Sequence, residues 1–334
     1  MPLHNVHPDK DKSAAFTVLE LLVSMAIFTV FGLALAVFMS SSVESYRINS
    51  ARKQAYSTAS AVLGQLQLDL THAWIAPGDR NPNVDVKFIA TRDSRGCTQL
   101  VFTAQSQNPE EDPNDVGLRE IAWYVDPNST FPYNLCRVER LGVGGEESLF
   151  ENMMGADPAT STFGGGIGYF SIRFIPDVSS LAEEAVTIDS NVLEYGYATW
   201  DSTRGKDPRF ELFVENSADN PWDDLLPGRV VITLSVVPDS GLRAVLIDDL
   251  DANGTIVHVN DTQGFPGGNN PVESFIHIGD EWLFYATVDA ENFGVFERGS
   301  RSTVPAAHKA GDEVRAGYSF IRTLVIPCGG KAIR

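Results

Sequence analysis

Acidic side chains are the most numerous groups that could do chemistry, since Asp and Glu together number 44 in this chain of 334 residues. Glu20 differs from the rest because it is the one charged residue between Phe16 and Met39, in a stretch that is otherwise largely apolar. An ionised side chain inside a transmembrane helix is disfavoured by roughly 2.5–3.5 kcal/mol on insertion scales. We therefore expect Glu20 to need a partner.

A second group of oxygen ligands lies near residue 250. Asp249, Asp251 and Asn253, followed by Gly254, match the opening of a calcium loop of the EF-hand type. The last ligand position of such a loop is Asn260 here rather than a bidentate Glu, and the flanking residues have the pattern of strands. A type I′ hairpin turn at Asn253-Gly254, with positive φ at both residues, explains the same sequence. We favour the hairpin and keep calcium as the one cofactor that the sequence suggests.

The cysteines and histidines do not form a recognisable site. The 3 cysteines have no CxxC pair, so two interpretations stay open: one disulfide between Cys97 and Cys136, or isolated thiols. Three histidines lack the HxH or HExxH spacing of metal sites, and we expect them to be core or surface residues: His258, His277 and His308. Because the sequence also lacks a GxSxG elbow, a Cys/His nucleophile signature and a P-loop, we predict that the protein is not an enzyme.

The first element that must position these residues is a long helix. Residues 16–39 would span about 36 Å as a helix, which is enough to cross a bilayer. No proline follows until Pro77, which predicts one helix over residues 16–74 with its first half in lipid. The second half should pack on a sheet through one apolar face, made of Ile48, Ala55, Ala59, Val62, Leu66 and Leu70.

After Pro77 the sequence changes to short β-like runs separated by Gly, Pro, Asn and Asp, which is typical of an antiparallel sheet. The glycine run at residues 164–168 is predicted to be a flexible turn, and the acidic stretches 108–115 and 177–189 to be solvated loops. The fold class is therefore α+β, with a long amino-terminal helix packed on an antiparallel β-sheet head. The predicted strands of the head are residues 84–90, 99–104, 121–125, 135–140, 169–175, 193–199, 210–214 and 229–237.

The amino-terminal sequence resembles the prepilin leader of type IV pilins and of the pseudopilins of type II secretion. The resemblance is carried by a short polar leader followed by FTVLELLVSMAIF, with its carboxylate at the fifth place. It implies cleavage by a prepilin peptidase between Ala15 and Phe16, N-methylation of Phe16, and pairing of Glu20 with the amino terminus of a neighbouring subunit. Ala15 departs from the family, which prefers Gly before the cut. The alternative is a plain signal anchor in which Glu20 lies near the membrane interface.

The carboxyl-terminal part resembles the J-type minor pseudopilins, because the strand-like runs 230–234 and 320–327 are suited to close the sheet as neighbours. Between them, IGDEWLFY and a later RG and AAH pattern resemble a small β module of phage structural proteins. We expect an inserted all-β module that serves display more than chemistry. The predicted divisions are a leader (1–15), a transmembrane half-helix (16–39), an amphipathic half-helix (40–76), a β head (77–241), the inserted module (242–317) and a closing strand with tail (318–334).

The formal charge of −19 argues against nucleic acid as a partner, because its phosphates would be repelled. With the resemblances, it favours a non-enzymatic minor pseudopilin at the tip of a type II secretion pseudopilus. The chain would cross the inner membrane once, with its carboxyl-terminal part in the periplasm. Expected partners are a prepilin peptidase, other pseudopilins or minor pilins, inner-membrane lipid and secreted cargo. The alternatives are a minor pilin of a type IV or DNA-uptake pilus, and a signal-anchored surface binding protein.

Overall fold

A computed structural model describes residues 17–75, 86–105, 117–151, 162–175, 196–202 and 226–327. It contains one long helix followed by antiparallel strands, which confirms the predicted α+β class. The chain divides into two compact units, Met1–Asn49 and Ser50–Arg334.

The predicted long helix is present as α1, Val18–Thr71. In the first unit, its large apolar side chains are exposed, as at Phe28 and Leu33. In the second unit, the helix buries one stripe that begins with small residues, and five positions of the predicted face belong to it. The buried residues are Ala51, Ala55, Ala59, Val62, Leu63, Leu66, Asp69 and Leu70.

Fourteen strands are described after the helix, and their pairing is antiparallel throughout. They are β1 Phe88–Arg92, β2 Thr98–Gln105, β3 Leu118–Val125, β4 Tyr133–Leu141, β5 Thr162–Ile175, β6 Trp200–Asp201, β7 Arg229–Val236, β8 Leu242–Val245, β9 Ile256–His258, β10 Phe275–Ile278, β11 Glu281–Val288, β12 Asn292–Ser300, β13 Glu313–Ala316 and β14 Tyr318–Val325.

Eight of these strands form the sheet of the head, in the order β14-β7-β5-β4-β3-β2-β1-β6. The stripe of α1 packs on one face of this sheet, where Trp123, Phe170 and Ile232 are fully buried with it. A smaller cluster lies on alternate residues of the same strands, including Ala122 and Tyr124. Six of the predicted strands of the head are confirmed with shifted ends. Residues 210–214 and most of 193–199, like the predicted loops 108–115 and 177–189, lie outside the described residues.

The predicted flexible turn at residues 164–168 is wrong, because all five residues belong to β5. Gly168 serves close packing instead, because a Cβ atom there would lie 2.8 Å from Cγ2 of Val237 and 3.2 Å from Cζ2 of Trp282. A Cβ atom on Gly164 would make an ordinary contact of 3.6 Å with Cγ2 of Val62 on the helix. Gly166 has a φ of 74°, and a register shift between Ile167 and Tyr169 bends the strand there. Glycine is required at residue 168 because neighbouring side chains approach the strand, and it is favoured at residue 166 by the positive φ.

The closing strands β7 and β14 pair along their full length, from Val236 opposite Tyr318 to Arg229 opposite Val325. This confirms the predicted pairing. The chain between them forms a second, six-stranded sheet in the order β8-β13-β10-β11-β12-β9, which we call the module. The module has its own hydrophobic cluster, centred on Val257, Ile276 and Tyr285. One residue of the module, Trp282, is also part of the core of the head, so the two sheets share a contact. Independent folding of the module stays a prediction.

Candidate functional site in the amino-terminal helix

The helix begins with a capping box that uses Glu20. Thr17 is the N-cap, and its hydroxyl accepts a hydrogen bond from the Glu20 backbone N–H at 3.3 Å. In return, Oε2 of Glu20 accepts the backbone N–H and the hydroxyl of Thr17, both at 3.0 Å. This reciprocal arrangement satisfies two donors at the start of the helix. Among the described residues, Oε1 of Glu20 accepts no hydrogen bond, so half of the carboxylate is available to another group.

The residues that follow are suited to a hydrocarbon environment. Ser24 donates its hydroxyl to the carbonyl of Glu20 at 2.7 Å, and Thr29 donates to Met25 at 2.8 Å, so both hydroxyls are satisfied within the helix. The large apolar side chains around them are exposed, as at Phe28 (80%) and Leu33 (69%). By length and composition, this helix qualifies to cross a membrane.

The first charged residue after the predicted span is Glu44, five residues beyond Met39. Nη2 of Arg47 lies 2.7 Å from Oε1 of Glu44 on the same helix face. This hydrogen bond lowers the pKa of Glu44. An i,i+3 pair of this kind supports a solvated helix, so the apolar segment ends before Glu44.

A second carboxylate on the same helix, Asp69, was not predicted. It is 1% exposed and lies within the stripe that packs on the sheet. Oδ2 accepts the indole N–H of Trp123 at 2.9 Å and Nε of Arg137 at 2.7 Å, while Oδ1 accepts Nη2 of Arg137 and the Gln65 amide, each at 2.9 Å. All of its partners belong to the same subunit. No local pattern could have identified this group, because Trp123 and Arg137 lie far away in the sequence.

The other predicted positions of the leader lie outside the described residues, namely Ala15 and Phe16. The cut between them and the methylation of Phe16 stay predictions. The disulfide between Cys97 and Cys136 is not formed, since both cysteines are buried thiols. Cys97 belongs to the core between helix and sheet, whereas Cys136 belongs to the smaller cluster of the head. The sheet lies between the two sulfur atoms and keeps them from forming a bond.

The predicted calcium ligands have other contacts. The carboxylate of Asp249 lies 2.7 Å from Nζ of Lys309 and accepts the Ala310 N–H at 2.9 Å. Asp251 accepts the Gly254 N–H through its backbone carbonyl at 2.8 Å, which makes a turn with Ala252 and Asn253 at its centre. The predicted type I′ hairpin is therefore wrong, because neither Asn253 nor Gly254 has positive φ. Calcium binding by Asp249, Asp251 and Asn253 stays a prediction. Among the residues described, no three His, Cys, Asp or Glu side chains form a metal site.

One of the three histidines takes part in a buried charged network of the module. Oε2 of Glu281, which is 0% exposed, lies 2.8 Å from Nε2 of His308. Arg298 binds both carboxylate oxygens of Glu281 at 2.8 Å, and the N–H groups of Gly299 and Ala306 donate to the same carboxylate. These hydrogen bonds outweigh burial and lower the pKa of Glu281. Glu281, His308 and Arg298 tie three segments of the module together. Because Glu281 lies in the IGDEW pattern, Arg298 in the RG pair and His308 in the AAH pattern, these patterns have a structural role in the module.

Comparison with known proteins identifies one feature. Residues 10–36 match the prokaryotic N-terminal methylation motif. No curated protein matches the chain. The matched residues include Ala15, Phe16 and Glu20, together with most of the exposed apolar part of α1. The motif and the apolar helix together support a type IV pilin-like protein that is processed by a prepilin peptidase and assembles with other pilins.

Proposed function

We propose that this chain is a minor pseudopilin of J type, a structural subunit in the tip of a type II secretion pseudopilus. The observation that carries the proposal is the combination of the methylation motif at residues 10–36 with one uninterrupted helix, Val18–Thr71. The two closing strands β7 and β14, which pair along their full length, support the J-type assignment. The chain resides in the inner membrane with its head in the periplasm.

The mechanism is assembly through the first turn of the helix. Cleavage before Phe16 creates an amino terminus directly ahead of the Thr17 cap. In a neighbouring subunit, this ammonium pairs with the available Oε1 of Glu20, while Oε2 keeps its bonds to Thr17. Pairing removes two charges from hydrocarbon and thereby sets the register between subunits.

The proposed function requires neither catalysis nor a resident cofactor. The buried carboxylates of Asp69 and Glu281 are bound by several donors of their own subunit, which suits structural roles. Calcium at Asp249, Asp251 and Asn253 would be accessory to assembly. The partners are the prepilin peptidase, other pseudopilins and membrane lipid, and the head is a candidate to meet secreted cargo. Nucleic acid is not among the proposed partners.

A minor pilin of a type IV pilus or DNA-uptake pilus is the second candidate. The observation that favours it is that the match covers only residues 10–36, a motif that the different pilus machines share. A signal-anchored surface binding protein is a third candidate, which would keep its leader uncut.

The experiment is a deletion of the gene in the source bacterium, followed by complementation. We expect loss of type II secretion, with pilus-dependent motility and DNA uptake unchanged, and recovery with the wild-type chain. Complementation with Glu20→Ala should fail, while the matched control Glu44→Ala should succeed. Loss of motility or DNA uptake with normal secretion would instead assign the chain to a pilus.

A further inference from the structure

A cleft of about 800 Å³ lies where the module meets the head. Its walls on the head are the turn after β1 and the segment from Pro127 to Tyr133, and its walls on the module are Asp280 and the loop after β12. This volume lies within the range of about 300–1,000 Å³ that is typical of sites for small molecules. The residues that matter here are Asp93, Arg95, Gln99, Tyr133, Asp280 and Val304.

The wall on the module is held rigidly. The Arg301 side chain packs among three aromatic rings, and its guanidinium carbon lies 4.6, 4.0 and 4.3 Å from the ring centres of Tyr169, Phe275 and Trp282. Its backbone has a φ of 58°, and that of Ser302 has a φ of 68°. Strained backbone of this kind persists where the surrounding packing fixes it, and it clusters at functional sites.

The two walls touch at Gly96. A Cβ atom on Gly96 would lie 2.2 Å from the carbonyl oxygen of Arg301, so only glycine permits the contact. The cleft is therefore formed before a ligand arrives, which reduces the entropic cost of binding.

Within the cleft, the charges of Asp93 and Arg95 neutralise each other. Nε of Arg95 lies 2.8 Å from Oδ2 of Asp93, and its two terminal nitrogens donate to the carbonyls of Asp126 and Val125 at 3.1 and 3.0 Å. Oδ1 of Asp93 accepts the N–H groups of Arg95 and Cys97. Neither side chain has a strong need for an outside partner.

Two polar groups remain available. Tyr133 is 7% exposed, and its ring is fixed by Arg95, whose guanidinium carbon lies 4.6 Å from the ring centre. Within the described part of the chain, its hydroxyl forms no hydrogen bond, although it lines the cleft. Burial raises the pKa of Tyr133 to about 12, so the hydroxyl stays neutral. The exposed carboxylate of Asp280 likewise has no partner among the described residues.

The ligand class follows from these groups. Among the described residues that line the cleft, Asp280 carries the one charge without an opposite charge bonded to it, and the net charge of the chain is −19, so cations are attracted. The face of Tyr133 that Arg95 covers is not open for a sugar ring to stack on. Carboxylate and phenol oxygens both accept hydrogen bonds from N–H donors, and Val304 offers an apolar contact for an alkyl stem. We infer that the cleft binds an alkylammonium or guanidinium group, with Asp280 as its charge partner and Tyr133 as its hydrogen-bond acceptor.

The test uses the full chain in detergent micelles and saturation-transfer NMR. The probes are the peptide acetyl-Gly-Lys-Gly-amide, its arginine counterpart, and the norleucine counterpart as an uncharged control of similar length. We expect the two cationic peptides to bind at least about tenfold more tightly than the norleucine peptide, because a hydrogen bond to a charged group is involved. The cationic group could belong to a free polyamine or to a side chain of a partner protein, and putrescine as a further probe distinguishes the two. An affinity for putrescine equal to that for the lysine peptide indicates a free polyamine, whereas a weaker affinity indicates a protein side chain.

Variants locate the site. Asp280→Asn should reduce affinity for the lysine peptide about tenfold, and Tyr133→Phe a few-fold, with unchanged melting temperature. The matched control is Asp248→Asn, which changes another exposed carboxylate outside the cleft. Equal binding of the lysine and norleucine peptides by the wild type would overturn the inference without any variant. An unchanged affinity in Asp280→Asn would also overturn it.

Discussion

Two carboxylates on one helix, Glu20 and Asp69, have opposite relations to the rest of the molecule. Asp69 is buried in the head and receives four hydrogen bonds, from Gln65, Trp123 and Arg137. Glu20 lies at the start of an exposed apolar segment and has Thr17 as its partner within the described residues. Both charges are in surroundings that would disfavour an unpaired carboxylate, in a protein core and in a membrane.

The difference separates folding from assembly. Asp69 is satisfied by its own subunit, so its removal should affect the stability of the head. Among the described residues, Thr17 in the first turn of the helix is the one partner of the Glu20 carboxylate, so removing Glu20 should leave folding of the head unchanged and affect the contact with a neighbouring subunit. The four predictions that follow test this separation.

The largest effect is expected for Asp69→Ala. The change leaves the guanidinium of Arg137 and the indole N–H of Trp123 without their buried acceptor. Breaking a buried pair in this way costs about 3–5 kcal/mol of unfolding free energy. Denaturant unfolding of the full chain in detergent, followed by tryptophan fluorescence, measures it. Asp248→Ala, at an exposed position, is the control and should change stability by less than about 0.5 kcal/mol. An equally small loss in Asp69→Ala would show that the network is incidental.

The second-largest effect is expected when two leucines of α1, one from each unit of the chain, are changed to alanine. Leu66 is 0% exposed and packs on the sheet, so Leu66→Ala should cost about 2–5 kcal/mol through lost burial and the cavity that remains. Leu33 is 69% exposed, so Leu33→Ala should leave the unfolding of the head unchanged. The same denaturant titration measures both variants. An equal loss of unfolding free energy in the two variants would contradict the division of the helix into an exposed apolar part and a part that packs on the sheet.

A smaller, pH-dependent effect is expected beside Asp69. Burial alone would raise the pKa of Glu139, but hydrogen bonds from Arg119 and Arg137 outweigh it and lower the pKa. A lowered folded-state pKa contributes stability above the unfolded-state value of about 4.3, which is lost as the pH falls through the folded-state pKa. Glu139→Gln should therefore cost about 1 kcal/mol at neutral pH, and the difference should shrink below about pH 4. A difference that is constant between neutral and acidic pH would contradict this account.

The smallest effect on stability is expected for Glu20. Glu20→Gln keeps an acceptor for the capping box, and Glu20→Ala removes it, yet both should change unfolding of the head by about 0 kcal/mol. Membrane insertion and cleavage should also be intact. Both variants should be poorly incorporated into the pilus-like filament, as measured by the amount of the chain in sheared filaments. Normal incorporation of Glu20→Gln would show that the charge has no role in assembly.

Local patterns predicted much of this molecule. The period of apolar residues gave α1 and its stripe, and a lone charge in an apolar run identified Glu20. Asp69 and Glu281 were missed because their partners are distant; Trp123 and Arg137 lie 54 and 68 residues beyond Asp69. The glycines of β5 were misinterpreted because glycine usually indicates a turn. Here Gly168 allows Val237 and Trp282 to approach the strand, which only the folded chain reveals.

The central claim is that the apolar segment beginning at Phe16 is a prepilin segment that is cut and methylated before assembly. The most direct measurement is the amino-terminal mass of the protein isolated from its native membrane. We predict a mature chain that begins at Phe16 with one added methyl group on its amino terminus. A chain that retains Met1, or one that is cut beyond Met39, would contradict the account.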